Sequence, residues 1–292
     1  MGRLILNADD FGLTAGVNRA IVELHRAGVL TSASLMARAA ATDEAIELAR
    51  ATPKLGVGCH VVLVDGEPVL HAQNLPTLVD PRTNRFYPTL GEFIKDLLTG
   101  RVHSTEIEAE TAAQIAFLQE RGVRLTHIDT HKHAHMFPGV LRPVLRAARA
   151  AGIRAVRNPF EPAWSRRATH GAPWLRRVQV GVLRLLEPTF RRIVAEEGFT
   201  TTDGALGVLA TGIVDSTTLS SLLRSLPAGT WELVTHPGYN DQDLDQVRTR
   251  LRASRETERE ALLSMRQFPG IERISFADLH SASSQTSRTS KS

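Results

Sequence analysis

The chain has 292 residues, 42% hydrophobic and 23% charged, with a formal net charge of +4. That size and balance suit one large α/β domain, or two ordinary ones, with a sizeable buried core. The charge is modest, and no basic run interleaves with aromatics, so no nucleic-acid partner is expected; the single cysteine, Cys59, excludes an intrachain disulfide.

Met1 leads directly into a strand-like Arg3–Ala8 without a signal-peptide pattern, and no run of about 18 apolar residues occurs. No membrane-spanning helix is therefore expected, and the expected location is cytoplasmic. A helix closing at Gly28 precedes a β-rich Val29–Met36, and Thr42 is placed to cap a helix over Asp43–Arg50. The strand Gly56–Val64 follows. The stretch from Asp65 to about Glu92 is rich in prolines and turn residues and reads as a long loop beside a substrate site. Thr105 and Glu108 form a capping-box pattern for a helix carrying Ile107, Ile115 and Leu118, which ends at Gly122 before Val123–Asp129. A third unit of this kind closes at Gly152 before Ile153–Arg157. Residues 159–204 break the rhythm with one or two helices, a cap or an insertion. Ala205–Leu209, Trp231–Thr235 and Arg273–Phe276 complete about eight strand candidates, and Ser281–Ser292 has the composition of a disordered tail.

Glycine closes a helix in the left-handed conformation because it has no Cβ to clash. Repeated helix–Gly–strand units mean parallel strands joined by helical crossovers. The expected fold is α/β, a (β/α)-barrel-like sheet of about seven to eight mostly parallel strands, with residues 1–280 as one domain.

The reactive side chains gather at the C-terminal ends of these strands, where barrels build their sites. Asp9 and Asp10 close the first strand, in Asn7-Ala8-Asp9-Asp10-Phe11-Gly12. Read alone, such a pair is often turn chemistry, one Asp capping the next helix. His60 lies in an apolar strand, where a lone histidine is usually a satisfied core residue. His127-Ile128-Asp129-Thr130-His131-Lys132-His133-Ala134-His135 packs four histidines and an aspartate into nine residues. In extended chain the odd-numbered members share a face. Asp10, His60 and His131 together offer two imidazoles and one carboxylate, a set that leaves positions on a divalent ion open for water and substrate. Arg157-Asn158 and His236-Pro237 end two further strands. His236 reads as a turn anchor or as a general acid. No Gly-x-Ser-x-Gly elbow, Walker loop or Gly-x-Gly-x-x-Gly occurs.

In order and position, Asn7–Gly12, Gly58–Leu63, His127–His135 and His236-Pro237 resemble the motifs of the YdjC-like carbohydrate deacetylases, over roughly Arg3 to Leu279. Val64–Leu70 and Ser275–Leu279 look closest to a branch associated with hopanoid biosynthesis. The resemblance implies a glycoside hydrolase/deacetylase type of barrel and one divalent ion, Mg²⁺ or Zn²⁺, held by Asp10, His60 and His131. It implies Asp9 as base and suggests His236 as acid. Arg157 is the candidate donor to the oxyanion, and His127, Asp129, His133, His135 and Asn158 are expected around the ligands or the substrate. The implied substrate is an N-acetylated amino sugar, on an oligosaccharide or a glycolipid, with a hopanoid glycolipid as the narrower expectation. Two residues depart from the family pattern: Thr130 stands where Ser is frequent, and Lys132 where another His is frequent.

Two other classes stay open at this point. A metal-dependent phosphoesterase would want ligands for two or three ions, and a non-catalytic sugar- or lipid-binding protein could use the same fold. The arginines between Trp164 and Arg192 read first as solvated helix faces and second as a membrane-surface or anionic-substrate contact; the apolar-faced Trp174–Arg192 reads first as a packed helix or an oligomer contact, such as a homodimer, and second as a peripheral membrane contact.

Overall fold

The computed structural model describes residues 2–265 and 270–279; the tail expected at 281–292 lies outside them. Strands and helices alternate along the chain: β1 (Gly2–Phe11), α1 (Ala15–Arg26), β2 (Ser32–Leu35), α2 (Thr42–Ala51), β3 (Gly56–Val61), β4 (Val79–Asp80), β5 (Arg85–Phe86), α3 (Leu90–Leu98), α4 (Ser104–Glu120) and β6 (Leu125–Thr130). There follow α5 (Pro138–Ala150), α6 (Ala163–Ala168), α7 (Trp174–Leu183), α8 (Glu187–Glu196), β7 (Gly204–Leu206), α9 (Ser216–Arg224), β8 (Gly229–Thr235), α10 (Gln242–Asp245), α11 (Arg252–Ser264) and β9 (Ile271–Ile274).

Gly28, Gly122 and Gly152 close their helices at φ of 73°, 82° and 83°, in the region glycine enters without a Cβ penalty. Two helix starts differ from expectation. Thr42 is the first residue of α2 rather than its cap, because its hydroxyl is used on the preceding loop, donating to Met36 O and accepting from Ala39 N. Helix α4 starts at Ser104 after an extended His103, with no side-chain cap.

The main sheet runs β6-β3-β2-β1-β8-β7, every pair parallel. β9 pairs with the first half of β1, at Gly2–Ile5, while β2 takes the second half from Asn7 onward. The sheet curls with helices outside, as expected. The strand expected at Ile153–Arg157 is instead an irregular segment with isolated parallel bridges, Ile128 to Val156 and Ala155 to Thr200. It lies between the two edges of the sheet. Ile128 N donates to Ala155 O on the β6 side, and Ala205 N donates to Phe160 O on the β7 side. Beyond Arg157, on the β7 side, Pro159 and Pro162 lack the N–H groups that a regular ladder needs.

The long loop after β3 holds more structure than expected, with the antiparallel β4–β5 hairpin inside it. Three helices, α6 to α8, fill the interruption before β7. Strands β1 to β3 are buried on both faces apart from Arg3, with apolar runs such as Leu4–Leu6 and small or polar residues, Ser32, Ser34, Asn7, Asp9 and Asp10, inside. Leu4, Leu6, Leu35, Val57, Val61, Ile128 and Leu233 contribute to one large apolar core.

One tight contact pins β3 against β6. A Cβ added to Gly58 would meet the His127 imidazole at 2.4 Å, and that ring is stacked 3.8 Å from the Phe276 ring. Gly58→Ala should therefore cost about 1–3 kcal/mol, as overpacking does. A thermal melt checks this, and an unchanged melting temperature would show that the His127–Phe276 pair yields.

Candidate active site

Neighbouring residues on a regular strand face opposite sides. β1 escapes that rule at its end, where its register with β2 shifts between Ala8 and Phe11 and Asp10 takes φ of 64°. Aspartate tolerates this left-handed step better than most residues. The two carboxylates then meet side chains from neighbouring strand ends: Asp9 lies 3.8 Å from His236 past β8, and Asp10 faces His60 of β3 and His131 just past β6.

Asp10 Oδ1, His60 Nε2 and His131 Nδ1 form a nearly equilateral triangle. Its sides are 3.3 Å from His131 to Asp10, 3.3 Å from His60 to His131 and 3.6 Å from His60 to Asp10. Donors at about 2.1 Å around a tetrahedral ion stand roughly 3.4 Å apart, so the spacing fits a divalent cation. Asp10 Oδ1 is buried and takes no hydrogen bond, an orphaned acceptor that a cation would satisfy. Its sister oxygen is held by Arg255 Nη2 at 2.5 Å. Burial alone would raise the Asp10 carboxyl, but the charges of Arg255, His131 and His236 hold it well below the usual range. His60 Nδ1 sits 2.8 Å from Asp129 Oδ1, which orients the ring and leaves Nε2 to the triangle. Burial opposes charge on His60, yet Asp129 and Asp9 outweigh it and raise the imidazole to about 9.

Asp9 belongs to a second layer of bonds centred on Arg157, which is fully buried. The guanidinium grips both Asp9 oxygens, Nη1 to Oδ2 at 2.8 Å and Nη2 to Oδ1 at 2.6 Å. Nη1 also reaches Asp129 Oδ2 at 2.6 Å, and Nη2 and Nε reach Glu232 Oε1 at 2.8 Å. The guanidinium thus makes three hydrogen bonds and two further close ion pairs, all to carboxylates. This corrects the expectation that Arg157 donates to a substrate oxyanion, since the side chain is fully buried and turned to three carboxylates. Asn7 Nδ2 bridges Asp9 Oδ1 and Ser34 Oγ, each at 3.0 Å, and Ser34 Oγ donates to Asp129 Oδ2 at 2.8 Å. Burial pushes the Asp9 carboxyl up, but Arg157 and His60 outweigh it and keep it ionised.

The histidine cluster does not share one face. β6 stops at Thr130, and residues 131–136 form a tight 3₁₀ turn with Lys132 and His133 left-handed, so the period of two ends there. His131 alone reaches the metal triangle. His127 lies within the barrel, bonded to Ser34 Oγ and Thr126 Oγ1. His135 is buried between Thr130 Oγ1, at 2.7 Å, and the Arg157 carbonyl, at 3.3 Å. The buried His133 Nδ1 takes no partner. Asn158 bonds Thr202 O and Phe160 N, both backbone groups of the irregular closing region, so it supports the fold there rather than facing a ligand. Lys132 reaches across to Asp65 Oδ2 at 2.7 Å, tying the turn to the loop after β3. On that loop a separate polar cleft of about 580 Å³, lined in part by Arg38, Glu67, His71 and Arg85, includes none of the triangle residues.

A family model described as YdjC-like protein matches residues 3–268. The chain belongs to the YdjC-like family. A carbohydrate deacetylase from Thermoanaerobacter pseudethanolicus is 30% identical over 262 residues, covering 90% of this chain and 91% of that one. One from Brevibacillus brevis is 45% identical over 160 residues, covering 54% of this chain and 60% of that protein's length. A chitooligosaccharide deacetylase from Klebsiella pneumoniae is 41% identical over 152 residues, 51% of this chain and 57% of that one. Among solved structures, an Enterococcus faecalis V583 protein named for cellobiose-phosphate cleavage superposes with a TM-score of 0.73 at 26% identity, covering 95% of this chain and 98% of that one.

Sequence reading missed several residues of this YdjC-like site. Glu232 was legible, a charge inside the otherwise apolar Trp231–Val234 and buried against Arg157. Arg255 and Glu258 were not. They sit in α11, within Arg252–Glu260, where charges of both signs read as a solvated face, yet each is about 1% exposed. Glu258 Oε1 accepts from His236 N at 3.1 Å. Burial raises its carboxyl to about 8, and the bond to His236 and the Arg255 charge only partly offset this.

That shift has a consequence for stability. The native state keeps the Glu258 proton to higher pH than the unfolded chain, so ionising it costs stability as pH rises from about 4.5 to 8. Glu258→Gln keeps an acceptor for His236 N and removes that cost. The variant's melting temperature should gain on the wild type progressively across this window. A constant difference from pH 5 to 9 would rule out a raised Glu258.

Proposed function

We propose that this chain is a metal-dependent hydrolase that removes the acetyl group from an N-acetylated amino sugar, such as N-acetylglucosamine in an oligosaccharide or a glycolipid. The observation that carries the reading is the Asp10–His60–His131 triangle, with its orphaned Asp10 oxygen, beside an ionised Asp9. The deacetylase names of the relatives support the substrate class.

Asp10, His60 and His131 would hold one divalent ion. When bound, it would polarise the acetyl carbonyl and lower the pKa of water towards about 7. Asp9 takes the proton of the attacking water. Arg157 fixes that carboxylate and keeps it charged, so Arg157 acts through Asp9 rather than on the substrate. His236 starts neutral, because burial pushes its imidazole down to about 4 even though Asp9 and Asp10 pull the other way. It therefore relays rather than supplies the proton: Asp9 passes it across the 3.8 Å gap, and His236 delivers it to the departing amine. The products are acetate and the free amino sugar.

One ion is favoured over the two or three of a phosphoesterase. The other candidate donor set among the described residues, Asp9, His60 and Asp129, shares His60 with the first, and the Arg157 guanidinium already binds its two carboxylates.

The test is acetate release from N-acetylglucosamine oligosaccharides and from an acetylated glycolipid, a hopanoid glycolipid included. Metal-stripped protein is compared with protein resupplied with Zn²⁺, Mg²⁺, Mn²⁺, Co²⁺ or Ni²⁺. Release should return with the ion. His131→Ala should lose ion affinity and activity together. Asp9→Asn should keep ion affinity within a few-fold while kcat falls about 10²–10⁴-fold, the usual worth of a general base. Near wild-type turnover by Asp9→Asn would remove it as the base, and no acetate from any substrate with an ion bound would reject the deacetylase reading.

A further inference from the structure

Helix α7 carries no buried residue. Trp174, Leu175, Val178 and Val182, with Leu185 in the turn that follows, are 51–78% exposed. At 100° per residue these five side chains fall on one stripe about 100° wide. The opposite side anchors the helix. Arg176 donates to Thr211 O at 2.6 Å and Val208 O at 3.0 Å, and Arg177 to Arg166 O at 2.8 Å. Val208 and Thr211 follow the C-terminal end of β7, so the stripe is tethered at the end of the sheet that holds Asp10, His60 and His131.

The charge around the stripe is one-sided. Residues 164–192 contain seven arginines and one acid, Glu187, a net of +6 where the whole chain carries +4, so the rest of the molecule nets −2. Arg176 and Arg177 bond carbonyls rather than carboxylates, while Glu187 is shared by Arg184 and Arg191 and Arg192 pairs with Glu196 just beyond this span. An exposed Trp-Leu-Val stripe in a basic surround matches the chemistry of a bilayer interface with anionic headgroups. Two other occupants fit less well. A second copy would bring like charges together. Residues 281–292 of this chain contain no large apolar side chain to cover the stripe. No helix among the described residues is long and apolar enough to cross a membrane, so the contact would be peripheral.

We propose that the α7 stripe docks this protein on an anionic lipid surface, with the strand ends that carry Asp10, His60 and His131 towards the membrane. The inference does not depend on the deacetylase reading.

The test is co-sedimentation of the full chain with phosphatidylcholine vesicles, with and without phosphatidylglycerol. Binding should require the anionic lipid and weaken as salt rises. Trp174→Ser with Leu185→Ser should reduce it roughly tenfold or more, since each lost side chain removes more than a kcal/mol of apolar burial. A thermal melt checks that the variant is folded. As a second measurement on a conservative variant, brominated acyl chains should quench tryptophan fluorescence in the wild type and lose most of that quenching in Trp174→Phe. Four outcomes would overturn the proposal: no binding to anionic vesicles at low salt, equal binding to neutral ones, a folded double variant that binds like the wild type, or a wild-type dimer broken by the double substitution without vesicle binding.

Discussion

A buried arginine surrounded by three carboxylates organises this molecule. Arg157 is fully enclosed, and its guanidinium contacts Asp9, Asp129 and Glu232, from β1, β6 and β8. An isolated guanidinium in such a place would cost many kcal/mol of lost hydration. Here three carboxylates answer it, and the charge acts on both the structure and the chemistry. It joins three strands across the curled sheet, and it keeps Asp9 ionised where burial alone would protonate it. The irregular 154–160 segment, which fills the gap between the sheet edges, is what carries this arginine into the interior.

Arg255 plays a parallel part for Asp10. By taking one carboxylate oxygen it leaves the other to the two imidazoles, and Asp129 does the same for His60 by occupying Nδ1. The adjacent aspartates are thereby split into different roles by different arginines. Asp9 has both oxygens held by donors, whereas Asp10 keeps one buried oxygen without any. Identical side chains one residue apart differ because the left-handed step at Asp10 turns them into different surroundings.

Sequence patterns succeeded where the governing physics is local. Glycine at a helix end, apolar runs in parallel strands and a strand end rich in Asp and His follow from backbone sterics and short-range spacing, and they led to the parallel sheet and to Asp10, His60 and His131. They failed where a local period stopped without a sequence mark. Nothing in His131–His135 announces that Lys132 and His133 turn left-handed, so alternation could not separate the one histidine of the triangle from those that pack against Thr130, the Arg157 carbonyl or the barrel interior.

By itself the sequence determined the α/β class, the family and the residue types able to hold one divalent ion, because these depend on neighbours a few positions apart and on motifs that keep their order. Only the tertiary structure decided that Arg157 is spent on Asp9 instead of an oxyanion, that Arg255 and Glu258 lie beneath the site, and that α7 keeps an apolar stripe exposed. Those outcomes depend on contacts between residues as far apart as Asp10 and Arg255. The chain between them has no local period that encodes which face of a charged helix turns inward, since burial of a charge is settled by the partner it meets across the fold.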